Sequence, residues 1–201
     1  MTLAGANHLA EIGFIAKPKK VERGDFQQTY SGLAFYALDP RPEDISIIDI
    51  ASALSKQCRY AGQCQRFLSI AEHSVHVSKA FHWNPPVVRL TALMHDASEA
   101  YLSDIVRPVK QQLPQYVEIE AKIEKVISDK YGLIYPLPAY IKKVDRRIVL
   151  DEREQNLGPV TIPWPIDAEN LAPLGITLQY WSPERSKEEF LDAFYINGGV
   201  E

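Results

Sequence analysis

The sequence predicts a mainly helical domain with a small β element near its front, and three observations carry that expectation. From residue 66 onward apolar side chains recur every three or four positions. Prolines at 85, 86 and 108 punctuate this pattern at intervals suited to successive helices. The stretch "TYSGLAFYALDPRPEDISIIDI" alone mixes aromatic and β-branched residues around a proline-rich turn. At 201 residues, with 46% hydrophobic and 24% charged side chains, the chain can build one ordinary core.

Residues 1–28 are weakly patterned and read as an N-terminal extension. Residues 29–201 read as a single domain, with a core at 59–155 and a C-terminal wrap at 156–201. A short hairpin is expected around "DPRPED", followed by a helix through Ala53 or Leu54 that Asp49 caps. "LSIAEHSVHVSKAF" has room for three turns. Asn84-Pro85-Pro86 then opens one continuous helix, "VVRLTALMHDASEAYL". "QYVEIEAKIEKVISDKYG" places Ile119, Ile123, Val126 and Ile127 on one stripe, with Gly132 as its stop. In "YIKKVDRRIVLDEREQ" the stripe is Ile141, Val144, Ile148 and Val149, and Asp145 lies inside it. The proline- and glycine-rich run from Gly158 to Trp181 reads as loop, and Ser182-Pro183 caps a last helix.

A net charge of −4 gives no basic field for a nucleic-acid partner. No apolar run reaches the eighteen or so residues of a membrane helix, and the first twenty residues lack a secretory pattern, so the expectation is a cytoplasmic protein. Cys58 and Cys64, spaced C-x5-C, are read as reduced thiols.

"LMHDASEAYLSDI" poses the chemical question, because it crowds His95, Asp96, Glu99 and Asp104 into an apolar segment. A carboxylate on a core-facing stripe, such as Asp145, is costly unless paired or bound to a cation. His95 and Asp96 can both reach one ion over the shoulder of a helix, and His73 and Asp145 are the candidates to complete its shell. Two imidazoles and two carboxylates suit a borderline divalent ion and leave positions for water. Glu99, one turn along, places a carboxyl group where it can handle a proton of that water.

The order H…HD…D, as His73, His95-Asp96 and Asp145, resembles the HD-domain metal-dependent phosphohydrolases, and so implies an HD-domain helical bundle. Within them, "HDASEAYLSDIVRPVK" is similar to the corresponding segment of bacterial 5′-deoxynucleotidases, and the likeness runs from about Arg59 to Glu152. The fuller layout, with its "SG…F…DP.PEDI.I.DIA.AL" front and "RF…AEHS" helix, is similar to phage HD hydrolases, including those that remove triphosphate from dATP. The resemblance implies that His73, His95, Asp96 and Asp145 hold the metal, a divalent Zn, Co, Mn, Ni or Fe, with Mg accompanying the substrate phosphates. Glu99 matches the catalytic glutamate. Asp104 matches the acidic residue that opens the substrate loop, followed by Ile105, Val106 and Arg107. Arg59-Tyr60 resembles an Arg-Trp pair that orients the phosphate, although tyrosine replaces tryptophan and the spacing to His73 differs by one. Arg66 is a second candidate clamp, and His73 also counts among the substrate contacts.

Bland readings stand beside these. Asp145 could pair with Lys142 or Arg146, the arginines could form surface ion pairs, and Asp104 could be a turn residue. His76 is an auxiliary group at most. Glu152, on the stripe of Asp145, reads as the acceptor for a buried donor rather than as a ligand. The expected function is hydrolysis of a small-molecule deoxynucleotide, first a dATP-type triphosphohydrolase and second a 5′-monophosphatase, in a homo-oligomer. A hydrolase of cyclic or alarmone nucleotides and a non-catalytic nucleotide-binding HD module are the rivals.

Overall fold

The computed structural model describes residues 23–201, so most of the expected extension lies outside the described residues. The expected class holds: the chain is mainly helical with a two-stranded antiparallel hairpin near its front. The hairpin pairs β1 (Gln27–Gln28) with β2 (Ala34–Phe35). Its turn is therefore the Thr29–Leu33 segment, closed by the Thr29 amide donating to the Leu33 carbonyl at 2.9 Å, and not "DPRPED". Proline at position 42 instead starts a single 3₁₀ turn, Pro42–Asp44.

The eight α-helices of the described residues are α1 (Ile47–Leu54), α2 (Ile70–Lys79), α3 (Pro86–Leu93), α4 (Glu99–Leu102), α5 (Arg107–Lys110), α6 (Pro114–Tyr131), α7 (Ala139–Asn156) and α8 (Pro183–Ile196). Ser46 caps α1, accepting from the Ile48 amide; Asp49, expected in that role, lies one turn inside the helix. Asp49 accepts instead from the Ser31 amide and hydroxyl, at 2.6 and 2.8 Å, and so fastens the hairpin to α1. Ser69 caps α2 and Ser182 caps α8, while Gly132 ends α6 at φ 63°, a left-handed position that glycine takes without steric cost.

Two apolar clusters fix how these helices meet. The larger joins Ile50 and Leu54 of α1, Val75 of α2, Leu93 of α3, Ile123 and Ile127 of α6, and Phe190 and Phe194 of α8. The smaller joins Val77, Val88, Ala92, Ile141 and Ile148, and so locks α2, α3 and α7 together. His73, His95 and Asp145 belong to these same three elements or their immediate edge.

The anticipated continuous helix over 87–102 is broken. α3 stops at Leu93, and turns carry the chain through Met94–Ser98 before α4 begins. Amides 97, 99, 100 and 101 each donate to the carbonyl three residues back. In that tighter winding, residues three apart eclipse, so Asp96 and Glu99 share a face. Between α7 and α8 the C-terminal wrap runs without regular structure apart from a 3₁₀ turn at Pro165–Glu169. Among the described residues no helix is long and apolar enough to cross a membrane.

Candidate metal centre

His95 sits where α3 ends, and the ending matters. A stopped helix leaves carbonyls without partners. The His95 Nδ1–H donates to one of them, that of Ala92, at 2.8 Å. Its Nε2 is thereby turned inward. His73, fully buried on α2, is fixed in the same sense by Glu152, whose Oε1 accepts from Nδ1 at 2.6 Å. A histidine held by a carboxylate at one nitrogen presents the other as a well-aimed lone pair.

The two Nε2 atoms lie 3.3 Å apart. Asp145 Oδ1 stands 3.1 Å from His73 Nε2 and 3.6 Å from His95 Nε2. Asp96 Oδ2 stands 3.1 Å from His95 Nε2 and 3.7 Å from His73 Nε2. Ligand atoms of His73, His95 and Asp145 all converge within 4.8 Å of one another, with Asp96 flanking the pair of imidazoles. Bonds of about 2.1 Å put neighbouring ligands about 3.0 Å apart in an octahedron and about 3.4 Å apart in a tetrahedron. The observed separations run from 3.1 to 3.7 Å, just above the octahedral value and on both sides of the tetrahedral one, so the donor set fits a divalent ion in size as well as in chemistry.

The electrostatics point the same way. Burial alone would lower both imidazoles, yet Asp96 and Asp145 hold His95 well above its ordinary range, and Glu152 and Asp145 hold His73 above its own. Burial would raise Asp145, and the two imidazoles outweigh it and hold the carboxyl well below the usual carboxylate range. A pocket whose acids outvote burial is one that calls for positive charge, which a metal ion supplies while displacing the protons.

Around this centre the remaining residues separate. Glu99 is buried, and its Oε2 has no hydrogen-bond partner among the described residues. Burial first, then the charges of Asp96 and Asp104, push its carboxyl well above the ordinary range. Arg59 reaches the centre from the 3₁₀ turn Arg59–Gly62, with one nitrogen 3.2 Å from Glu152 Oε2 and the other 3.9 Å from Asp96 Oδ2. Tyr60 donates its hydroxyl to the same Glu152 oxygen at 2.5 Å. Arg66 does not join them: its guanidinium lies over the Tyr180 ring, 3.6 Å from the centroid, and Asn156 holds its backbone. His76 is also elsewhere, stacked on Trp181 and 3.6 Å from Glu72.

Asp104 is half-buried, and Ile105, Val106 and Arg107 lead away from it into α5, with Val106 and Arg107 exposed. Two residues that the sequence did not single out hold this neighbourhood. Gln57 donates its amide to the Glu99 carbonyl at 2.9 Å and accepts from the Asp104 amide at 3.3 Å, spanning a turn in which Ser103 has φ 67°. Glu72, wholly buried beside His73, accepts three backbone amides of residues 179–181 at 2.7, 2.9 and 2.7 Å. An acid on the inward side of α2 was the signal for Glu72. For Gln57 the sequence offered none. Cys58 and Cys64 are free thiols whose sulfurs lie 3.5 Å apart.

No family model matches the chain. Over 133 residues it is 42% identical to the uncharacterized protein YfdR of Escherichia coli strain K12, an overlap of 66% of this chain and 72% of that protein. The chain belongs to the YfdR family. A further uncharacterized protein, from Rhodobacter capsulatus, is 38% identical to it over 125 residues, 59% of this chain and 64% of that one. More distantly, this YfdR-family chain is 33% identical over 97 residues to a 5′-deoxynucleotidase of Yersinia pestis, 42% of this chain and 48% of that protein. It is 29% identical over 113 residues to the 5′-deoxynucleotidase yfbR of Photorhabdus temperata, 50% and 56% of the two chains. The chain thus spans about half the length of those two proteins.

Proposed function

We propose that the chain is a metal-dependent nucleotide phosphohydrolase that releases phosphate from deoxynucleoside 5′-monophosphates. The observation that carries this is the convergence of His73, His95 and Asp145, flanked by Asp96, together with the buried carboxyl of Glu99 and the half-buried guanidinium of Arg59. The relatives whose names state an activity are 5′-deoxynucleotidases, which supports the monophosphatase over the dATP-type triphosphohydrolase that the sequence layout favoured.

His73, His95, Asp96 and Asp145 would hold the ion, which when bound polarises the phosphoryl oxygens and makes a water nucleophilic near neutral pH. The chain's own groups do the rest. Glu99 takes a proton from the attacking water; its desolvated, acid-flanked position makes it a strong enough base for that step. Arg59 neutralises charge on the phosphoryl oxygens as the bond to the 5′ oxygen breaks, and the nucleoside leaves as an alcohol once that oxygen takes up a proton from solvent. Its planar fork suits two oxygens at once, which Arg66, spent on Tyr180, does not offer to this centre. Asp104, the half-buried Ile105 and the exposed Val106 and Arg107 form the substrate side of the Glu99 turn.

The test is a panel of nucleoside mono-, di- and triphosphates, each with Mn, Co and Zn, with products resolved by chromatography. Inorganic phosphate released from deoxynucleoside monophosphates alone is the expected result. Intact tripolyphosphate released from dATP would return the first place to the triphosphohydrolase. Binding without turnover under every metal would leave the non-catalytic module.

A further inference from the structure

Glu152 touches both halves of the centre, His73 on one side and the Arg59–Tyr60 pair on the other. It lies seven residues after Asp145, two turns along α7 and on the same side of it. It is wholly buried, and its two oxygens are divided. Oε1 accepts from His73 Nδ1 at 2.6 Å; Oε2 accepts from Arg59 at 3.2 Å and from the Tyr60 hydroxyl at 2.5 Å. The backbone that presents these last two is under strain, since Tyr60 and Ala61 have φ of 58° and 50°. A loop that departs from its comfortable conformation needs a partner to hold it, and Glu152 is that partner.

We propose that Glu152 is a positioning residue that links ion binding to the phosphate clamp, one oxygen aiming His73 and the other holding Arg59 and Tyr60. This rests on the ligand and clamp roles proposed above. A carboxylate can serve both edges because both of its oxygens accept. An amide cannot, because one edge becomes a donor facing either an N–H or a pair of donors. Glu152→Gln must therefore lose one side or the other, and the loss at either edge removes a constraint from the remaining one.

The experiment titrates Co²⁺ calorimetrically into metal-free full-length protein, then inorganic phosphate into the Co²⁺-saturated protein. Wild type is compared with Glu152→Gln, Glu152→Asp and Tyr60→Phe, and circular dichroism reports folding of each. Glu152→Gln is expected to weaken Co²⁺ about 10- to 100-fold, as loss of a histidine's outer partner does, and to weaken phosphate severalfold as well. Tyr60→Phe, which leaves Arg59 on the same Glu152 oxygen, should weaken phosphate and shift Co²⁺ far less than Glu152→Gln does. Glu152→Asp keeps the charge in the core but falls short of one edge, so it should weaken at least one ligand even if the glutamine variant does not fold. Wild-type affinity for both ligands in a folded Glu152→Gln or Glu152→Asp protein would overturn the proposal, and so would wild-type phosphate affinity in Tyr60→Phe. Absence of nucleotide turnover alongside these affinity shifts would count against the proposed function and leave the role of Glu152 standing.

Discussion

Glu99 and Glu72 are both buried acids, and their surroundings give them opposite roles. Among the described residues Glu99 keeps one oxygen without a partner, and burial and two neighbouring acids hold it protonatable. Glu99→Gln should preserve metal content and lower kcat about 10²- to 10⁴-fold, the usual span for a lost general base; elemental analysis beside steady-state kinetics checks both halves. Glu72 is saturated. Burial would raise its carboxyl, but His76 and the amides of Trp181, Gln179 and Tyr180 outweigh that and hold it below the ordinary value. A group whose folded value is depressed contributes stability above its unfolded value, near 4.3, and loses it as the pH falls through the folded one. Glu72→Gln should cost about 1–3 kcal/mol at neutral pH, because an amide edge then faces a backbone donor. Thermal melts of both proteins at pH 7 and pH 3 are the check, and an equal gap at both would show that the charge is not what stabilises. The four expected ligands and Glu99 were legible as residues, because acids on apolar stripes are costly enough to demand a reason. Gln57 was not legible, because an uncharged amide on a half-buried turn leaves no such mark.

At the scale of elements, periodicity located α2, α6, α7 and α8 to within two or three residues. It failed between Leu93 and Glu99, where nothing in "MHDAS" forbids a helix. The break comes from tertiary demands: it frees the Ala92 carbonyl for His95 and brings Asp96 and Glu99 to one face. The hairpin was anticipated but misplaced, since the Tyr-Ser-Gly turn lacks the proline that drew attention to "DPRPED". At the other end of α4, Ser103 has φ 67° and ψ 155°, a region that costs a non-glycine residue about 1–3 kcal/mol. Ser103→Gly should therefore raise the Tm by several degrees, and Ser103→Val should lower it, at about 2–4 °C per kcal/mol for a chain of this size. A scanning fluorimetry series decides this. No gain from glycine would mean that the surrounding contacts favour serine there.

The whole molecule joins distant parts of the chain through the centre. The proposed ion ligands come from α2, the end of α3 and α7, so an ion that binds only the folded form would bridge all three. Saturation at about 100 times Kd is worth about 2.7 kcal/mol, so stripping the metal with a chelator should lower the Tm by several degrees, and adding Mn, Co or Zn should restore it. The sequence displayed the helices that carry these ligands. It could not display the tail contacts, because each depends on a partner more than a hundred positions away. Ser69 meets Ser186, Arg89 meets Asn197, and Glu72 meets residues 179–181. That last contact has a consequence for synthesis on the ribosome. When Glu152 has emerged, every group that would grip the ion or the phosphate already exists, yet the amides that allow Glu72 into the interior have still to be made. The nascent chain must keep that carboxylate hydrated until residues 179–181 emerge, so maturation of the centre waits for a segment well beyond Glu152.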